Sequence, residues 1–161
     1  MMNRVSKSIL LFGVSFMLLT IMSCEEDFTF LPPDEQFEKD QKAIDKYLDK
    51  NGIDAEIEPE SGLRYVIHEE GTGDSPLLSD TVKVNYTGFL LGGEQFEENE
   101  DITFNLNQVL LGWRIGLRLI KEGGRITIYV PSGYAYGPQG SGDAIPRNAN
   151  LIFDIELIEI L

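Results

Sequence analysis

From Ser61 to the C-terminus the apolar residues fall at every second position, and no other feature of the chain constrains its fold as much. Leu63, Tyr65 and Ile67 alternate with Arg64, Val66 and His68. Val82, Val84 and Tyr86 alternate with Lys83, Asn85 and Thr87, and Ile102, Phe104 and Leu106 repeat the pattern. Ile126, Ile128 and Val130 follow, and a last strand over 150–161 carries Leu151, Phe153, Ile155 and Leu157 on one face. A period of two sends successive side chains to opposite faces of a sheet. Helical spacing interrupts it once: Trp113, Leu117 and Ile120 sit at i, i+4 and i+7, and Gly123-Gly124 closes the run. Strands, one short helix, then strands predict an α+β domain over 61–161, an antiparallel sheet wrapped on a helix. Between Val130 and Asn150 the periodicity vanishes among Pro131, Gly133, Gly137, Pro138, Gly140, Gly142 and Pro146. A loop of that length inside a compact domain is either functional or a sign that an element has been misread.

Upstream the pattern is different. Asp34 reads as a helix N-cap, and Phe37, Ile44, Tyr47 and Leu48 share one helical face up to the stop at Asn51-Gly52, which predicts a helix over 34–52. It has three uses open to it: packing on its own domain, which is the expectation, extending as a spacer, or forming a dimer contact. Residues 24–33 end in Leu31-Pro32-Pro33 and read as a tether. At the start, Arg4 and Lys7 precede an apolar run from Ile9 to Met22, the size of a signal-peptide core and short of the ~20 residues of a membrane-spanning helix. The run ends Ile21-Met22-Ser23-Cys24. That ending resembles a bacterial lipobox, with Met22 its unusual position. The resemblance implies a signal peptide over 1–23, lipidation of Cys24 and anchoring in the cell envelope. Glu25-Glu26-Asp27 after the cysteine read either as a solvated spacer or as a sorting signal to the outer membrane, on its periplasmic or surface face. Lipid chains hold by burying methylenes, at about 0.8 kcal/mol each.

The composition excludes several chemistries. Thirteen Lys and Arg against 27 Asp and Glu give a net charge of −14, the wrong sign for nucleic acid. Removing the leader would take Arg4 and Lys7 with it and leave 11 basic residues against the same 27 acids. One cysteine and one histidine, His68, make neither a disulfide nor a zinc site, so no metal and no cofactor are expected. No phosphate loop and no nucleophile elbow occur, and Gly71-Thr72-Gly73 lacks the length and context of a dinucleotide fingerprint. Carboxylate pairs abound, as chance supplies with 27 acids.

What stands out is aromatic: Tyr86, Phe96, Phe104, Trp113, Tyr134, Tyr136 and Phe153. A plain aromatic core would explain them singly, but their order says more. Tyr86-Thr87-Gly88 closes a strand, and Phe96 follows a glycine turn. Val109-Leu110-Leu111-Gly112-Trp113 opens the helix, and Tyr134-Ala135-Tyr136-Gly137 starts the long loop. Ile145-Pro146 lies near the loop's end, and Leu151-Ile152-Phe153-Asp154-Ile155-Glu156-Leu157 is the last strand. This set, in this order, resembles the FKBP-type peptidyl-prolyl cis-trans isomerases over about residues 61–161.

The resemblance implies an antiparallel half-barrel sheet around one short helix, and a pocket for proline-containing polypeptides. Carried over position by position, Trp113 is the pocket floor and Tyr86, Phe96 and Phe153 are its walls. Val109 and Leu110 form the rim, and Phe104 lies inward beneath the pocket. Tyr136 offers its hydroxyl, and Ile145 its side chain and backbone N–H. Three positions depart from the family pattern. Glu97 stands where the usual residue is Asp, one methylene shorter. Ile102 replaces an aromatic wall of some members, and Ala144 is small beside Ile145. Two functions follow: an isomerase assisting the folding of exported proteins, or a proline-binding module or holdase that keeps the cup without catalysis. Glu97→Asp discriminates them, since a large gain in turnover would favour the second.

Overall fold

The computed structural model describes residues 33–161; the leader, Cys24 and the tether up to Pro32 lie outside the described residues. A 19-residue helix, α1 (Pro33–Asn51), comes first and begins one residue before the expected start. Proline is tolerated in a first helical turn, where its missing N–H has no intrahelical partner to lose. Six strands follow: β1 (Glu56–Ile57), β2 (Arg64–Glu69), β3 (Thr81–Leu90), β4 (Gln95–Asn105), β5 (Arg125–Val130) and β6 (Leu151–Ile160), with helix α2 (Leu111–Gly116) between β4 and β5. They form one sheet in the order β1-β2-β5-β6-β3-β4, every neighbouring pair antiparallel.

The alternation seen in the sequence sorts side chains to the two faces of this sheet. Val82 and Val84 of β3, Ile126, Ile128 and Val130 of β5, and Leu151, Phe153, Ile155 and Leu157 of β6 are buried on the inner face, with Trp113 and Leu117 from α2 and its continuation. Gly112 and Gly116, one turn apart, bring α2 hard against β5: a Cβ at Gly112 would lie 2.5 Å from Val130 Cγ1, and one at Gly116 2.6 Å from Ile128 Cγ2. Any larger residue there would push the helix off the sheet.

The outer face is covered by α1. Ile44 and Leu48 bury themselves on Tyr129 and Ile152, with Val66 and Phe89 at the margin. Fully burying each such side chain contributes about 1.5–3 kcal/mol. This is why β2 shows no clean inside–outside alternation: both of its faces are partly covered. Arg64 fixes the helix laterally with a fork onto Asp45, Nε and Nη2 each 2.9 Å from a carboxylate oxygen. Among the described residues no helix is long and apolar enough to cross a membrane, and no group of three or more potential ligands could hold a metal ion.

The 131–150 stretch is a built loop. It contains two single 3₁₀ turns, Ser132–Tyr134 and Gly137–Gln139. At its start, Asp40 of α1 is 2 % exposed, and its carboxylate accepts from the Ser132 backbone N–H (2.9 Å), the Ser132 hydroxyl (2.5 Å) and Gln36 Nε2 (2.7 Å). The Tyr134 hydroxyl donates to the Ser61 carbonyl (2.9 Å), and the Phe37 ring packs on Tyr134 at 5.3 Å. The N-terminal helix therefore holds the base of the loop that carries Tyr136.

Candidate active site

Trp113 is the hub of an aromatic cluster. It enters from α2, 4 % exposed, and meets Tyr86, Phe153 and Phe104 edge-to-face at centroid distances of 4.9, 5.4 and 5.7 Å. The interplanar angles of 80–84° present ring edges to ring faces, the arrangement favoured by aromatic quadrupoles and worth about 0.5–1.5 kcal/mol per pair. Four elements supply these rings: β3, β4, α2 and β6. Above them opens a cavity of about 440 Å³ lined by Tyr86, Phe104, Trp113, Tyr136 and Phe153, with Val109, Leu110 and Ile102 around them and Glu97, Asn99 and Gln108 as polar members.

Two residues expected in the pocket sit differently. Phe96 packs edge-to-face on Phe153 at 5.8 Å and supports that wall from behind the cavity lining. Gly88 makes room for the pair: a Cβ there would lie 2.6 Å from the Phe96 ring and 3.1 Å from Phe153. Ile145 is 6 % exposed and belongs to the inner core. Its backbone N–H, expected to face a substrate, donates to the Ser141 carbonyl (3.1 Å), while its own carbonyl accepts from the Ser141 N–H (2.9 Å). That bridge closes the tip of the loop and occupies the donor.

Asn99 was not legible as a site residue. The β3–β4 register shifts between Val84 and Tyr86, so Val84 pairs with Ile102 but Tyr86 with Asn99. The extra residue is absorbed at Asp101, whose φ is 52° and whose N–H donates to Asn85 Oδ1 at 2.8 Å. Such a bulge re-aims the side chains before it. Here it turns Asn99 into the pocket, where Nδ2 donates to the Tyr86 hydroxyl (2.9 Å) and lies 3.3 Å from Glu97 Oε1. Glu97 is exposed at the mouth. Burial, reinforced by the Glu97 carboxylate, pushes the Tyr86 phenol up to about 12. Burial and then the same carboxylate raise Tyr136 as well. Both phenols keep their protons well above neutrality. Tyr136 makes no hydrogen bond among the described residues, and neither does the Trp113 indole N–H, buried at the floor.

A half-open apolar cup floored by an indole and edged by protonated phenols has the shape and polarity to hold a compact apolar ring with carbonyls on either side. The family model of the FKBP-type peptidyl-prolyl cis-trans isomerases matches residues 73–158, more than half the chain. The chain belongs to this family. A probable FKBP-type peptidyl-prolyl cis-trans isomerase FkpA of Neisseria meningitidis serogroup B is 40 % identical over 127 residues, which cover 76 % of this chain and 46 % of the relative. The outer membrane protein MIP of Legionella longbeachae is 43 % identical over 104 residues, 62 % of this chain and 45 % of that protein. The crystal structure of a peptidyl-prolyl cis-trans isomerase from Pseudomonas syringae pv. tomato superposes with a TM-score of 0.68 at 28 % identity, covering 82 % of this chain and 98 % of that one. The FKBP fold of this chain is therefore shared with a solved enzyme over nearly all of that enzyme's length. The chain spans about half the length of the curated relatives it matches.

Proposed function

We propose that this protein is a peptidyl-prolyl cis-trans isomerase acting on proline-containing polypeptides of the cell envelope. The observation that carries this reading is the cup of Tyr86, Phe104, Trp113 and Phe153 with the Tyr136 hydroxyl free at its edge. Rotation about a peptide bond faces a barrier of about 18–20 kcal/mol, because amide resonance must be lost. An X–Pro bond therefore isomerises over tens to hundreds of seconds unaided. No bond is made or broken, so the reaction calls for neither a nucleophile nor a metal.

The pocket works by preferring the twisted amide. Twisting removes charge separation between oxygen and nitrogen, so an apolar, water-poor site favours the twisted form over the planar one. Trp113, Tyr86 and Phe153 grip the pyrrolidine ring. Tyr136, still protonated at every physiological pH, donates to a flanking carbonyl and fixes the chain. Each 1.36 kcal/mol of differential binding gives a tenfold rate. Glu97 sits beside both phenols, so its carboxylate orients them through charge even with the extra methylene. A chromogenic prolyl tetrapeptide assay tests the reading: a rate equal to the uncatalysed one would refute it.

The finer placement is also a proposal. Lipidation of Cys24 would tether the domain to the outer membrane, and metabolic labelling with a fatty-acid analogue, lost in Cys24→Ala, tests it. The apolar face of α1 is occupied by its own sheet. A dimer through α1 would have to use the charged face, and light scattering reads the oligomeric state directly.

A further inference from the structure

A second cleft lies across α2 from the aromatic pocket. Its volume is about 420 Å³, and Leu111, Ile115 and Leu119 form its apolar side. Leu111 and Ile115 are one helical turn apart and point away from Trp113. Leu111 is 44 % exposed, one of few large apolar side chains so placed. The facing wall is polar: Glu58, Glu60 and Ser61 from the segment ahead of the family match, with Arg118 and Tyr134 beside them. Glu58 accepts from the Ser61 backbone N–H at 2.7 Å, and the Ser61 carbonyl accepts from the Tyr134 hydroxyl at 2.9 Å. The cleft is thus preformed, and a ligand entering it need order little of the protein.

The two clefts share one ridge. On α2's side Leu110 lines the pocket while the next residue, Leu111, lines the cleft; on the loop side Tyr136 lines the pocket while Tyr134 lines the cleft. An extended chain advances about 3.3 Å per residue, so a polypeptide with proline in the pocket crosses this ridge within a few residues. We propose that the second cleft is a subsite for an apolar side chain of the same polypeptide whose prolyl bond occupies the pocket. The proposal rests on the isomerase reading and extends it: the favoured substrates are unfolded chains with an apolar residue a few positions from the proline.

The test compares two substrates on the full chain. A prolyl tetrapeptide offers only a residue or two on either side of its proline, whereas a small protein whose refolding is limited by prolyl isomerisation carries apolar side chains further along the chain. In Leu111→Ser, kcat/KM for refolding should fall about tenfold, while tetrapeptide turnover should stay within about twofold of wild type. Equal loss on both substrates, or loss on neither, overturns the subsite. With the wild-type protein, a proline-free peptide carrying two leucines should inhibit refolding catalysis and spare tetrapeptide turnover; inhibition of both, or of neither, overturns the subsite independently of any folding defect in the variant. A wild-type protein inactive on the tetrapeptide would instead overturn the isomerase reading beneath it.

Discussion

On the outer face of the sheet, the Asp40 carboxylate is sealed by three donors and Arg64 forks onto Asp45, with Ile44 and Leu48 packed between. One side-chain atom there, Gln41 Oε1, is buried without a partner. On the inner face, at the pocket, the indole N–H of Trp113 has no partner, the Tyr136 hydroxyl is free, and a cavity of about 440 Å³ stands open above packed rings. The outer face satisfies nearly every polar group it buries, so it supplies stability. The inner mouth leaves donors and space for something that is not part of the chain. Local rules of packing and polar satisfaction are broken where a ligand is meant to complete them.

Several substitutions would break or sharpen that contrast. The largest effect is expected from Trp113→Ala, which removes three edge-to-face contacts and the floor. It should cost about 3–5 kcal/mol in denaturant unfolding and abolish measurable isomerase activity. Next is Asp40→Ala, which strands the Ser132 hydroxyl and the Gln36 amide, while the Ser132 N–H keeps Asn150 Oδ1, and should cost about 3 kcal/mol. The folded fraction should nevertheless turn over a prolyl tetrapeptide near the wild-type rate, because Tyr134 still ties the loop to Ser61 and Phe37. A proportional loss of turnover would mean the outer face serves the pocket directly.

A third expectation concerns alkali. Tyr86 holds its proton up to about 12 when folded, against about 10 when unfolded. Above pH 10 the unfolded chain gives up a proton that the folded one keeps. Stability is therefore full below pH 10 and falls as pH rises toward 12, by on the order of 2–3 kcal/mol from this group. Tyr86→Phe should flatten that part of a urea-unfolding pH profile; an unchanged slope would contradict the assigned burial. The smallest effect is Glu97→Asp, for which kcat/KM on a tetrapeptide should change by about threefold or less, since the carboxylate acts through charge at the mouth. A gain of a hundredfold would mean that the natural glutamate disables catalysis and would favour a binding module.

Much of this was legible in the chain because burial on one face writes itself as alternation. β3 follows it residue by residue, whereas Tyr129 of β5 and Ile152 of β6 break it because α1 buries them from the outer face. The aromatics spaced along the chain meet around Trp113. The first half of β4, Gln95 to Asp101, gave no such signal: it is an acidic edge strand, bulged and paired on one side only. Asn99 was hidden for the same reason, as one amide among acids that only the bulge turns inward. The internal bonds of the 131–150 loop were invisible because turns made by Gly and Pro have no period. Asp40 did leave a trace. It sits three residues after Phe37 and four before Ile44, an acid on the apolar face of its helix, and such an acid must find donors when buried. Residues 1–32, which carry the anchor reading, stand apart from this comparison altogether.

The most direct test uses the chain's single tryptophan, whose indole N–H gives one identifiable resonance. Proline-containing peptide is titrated against the protein by NMR, and the cis–trans exchange of the peptide is followed with the protein at substoichiometric amount. The Trp113 indole signal should shift on addition of peptide, and the peptide's cis and trans lines should exchange far faster than the unaided tens to hundreds of seconds. An unmoved indole with exchange at the unaided rate would contradict the proposal that this pocket binds and turns prolyl bonds.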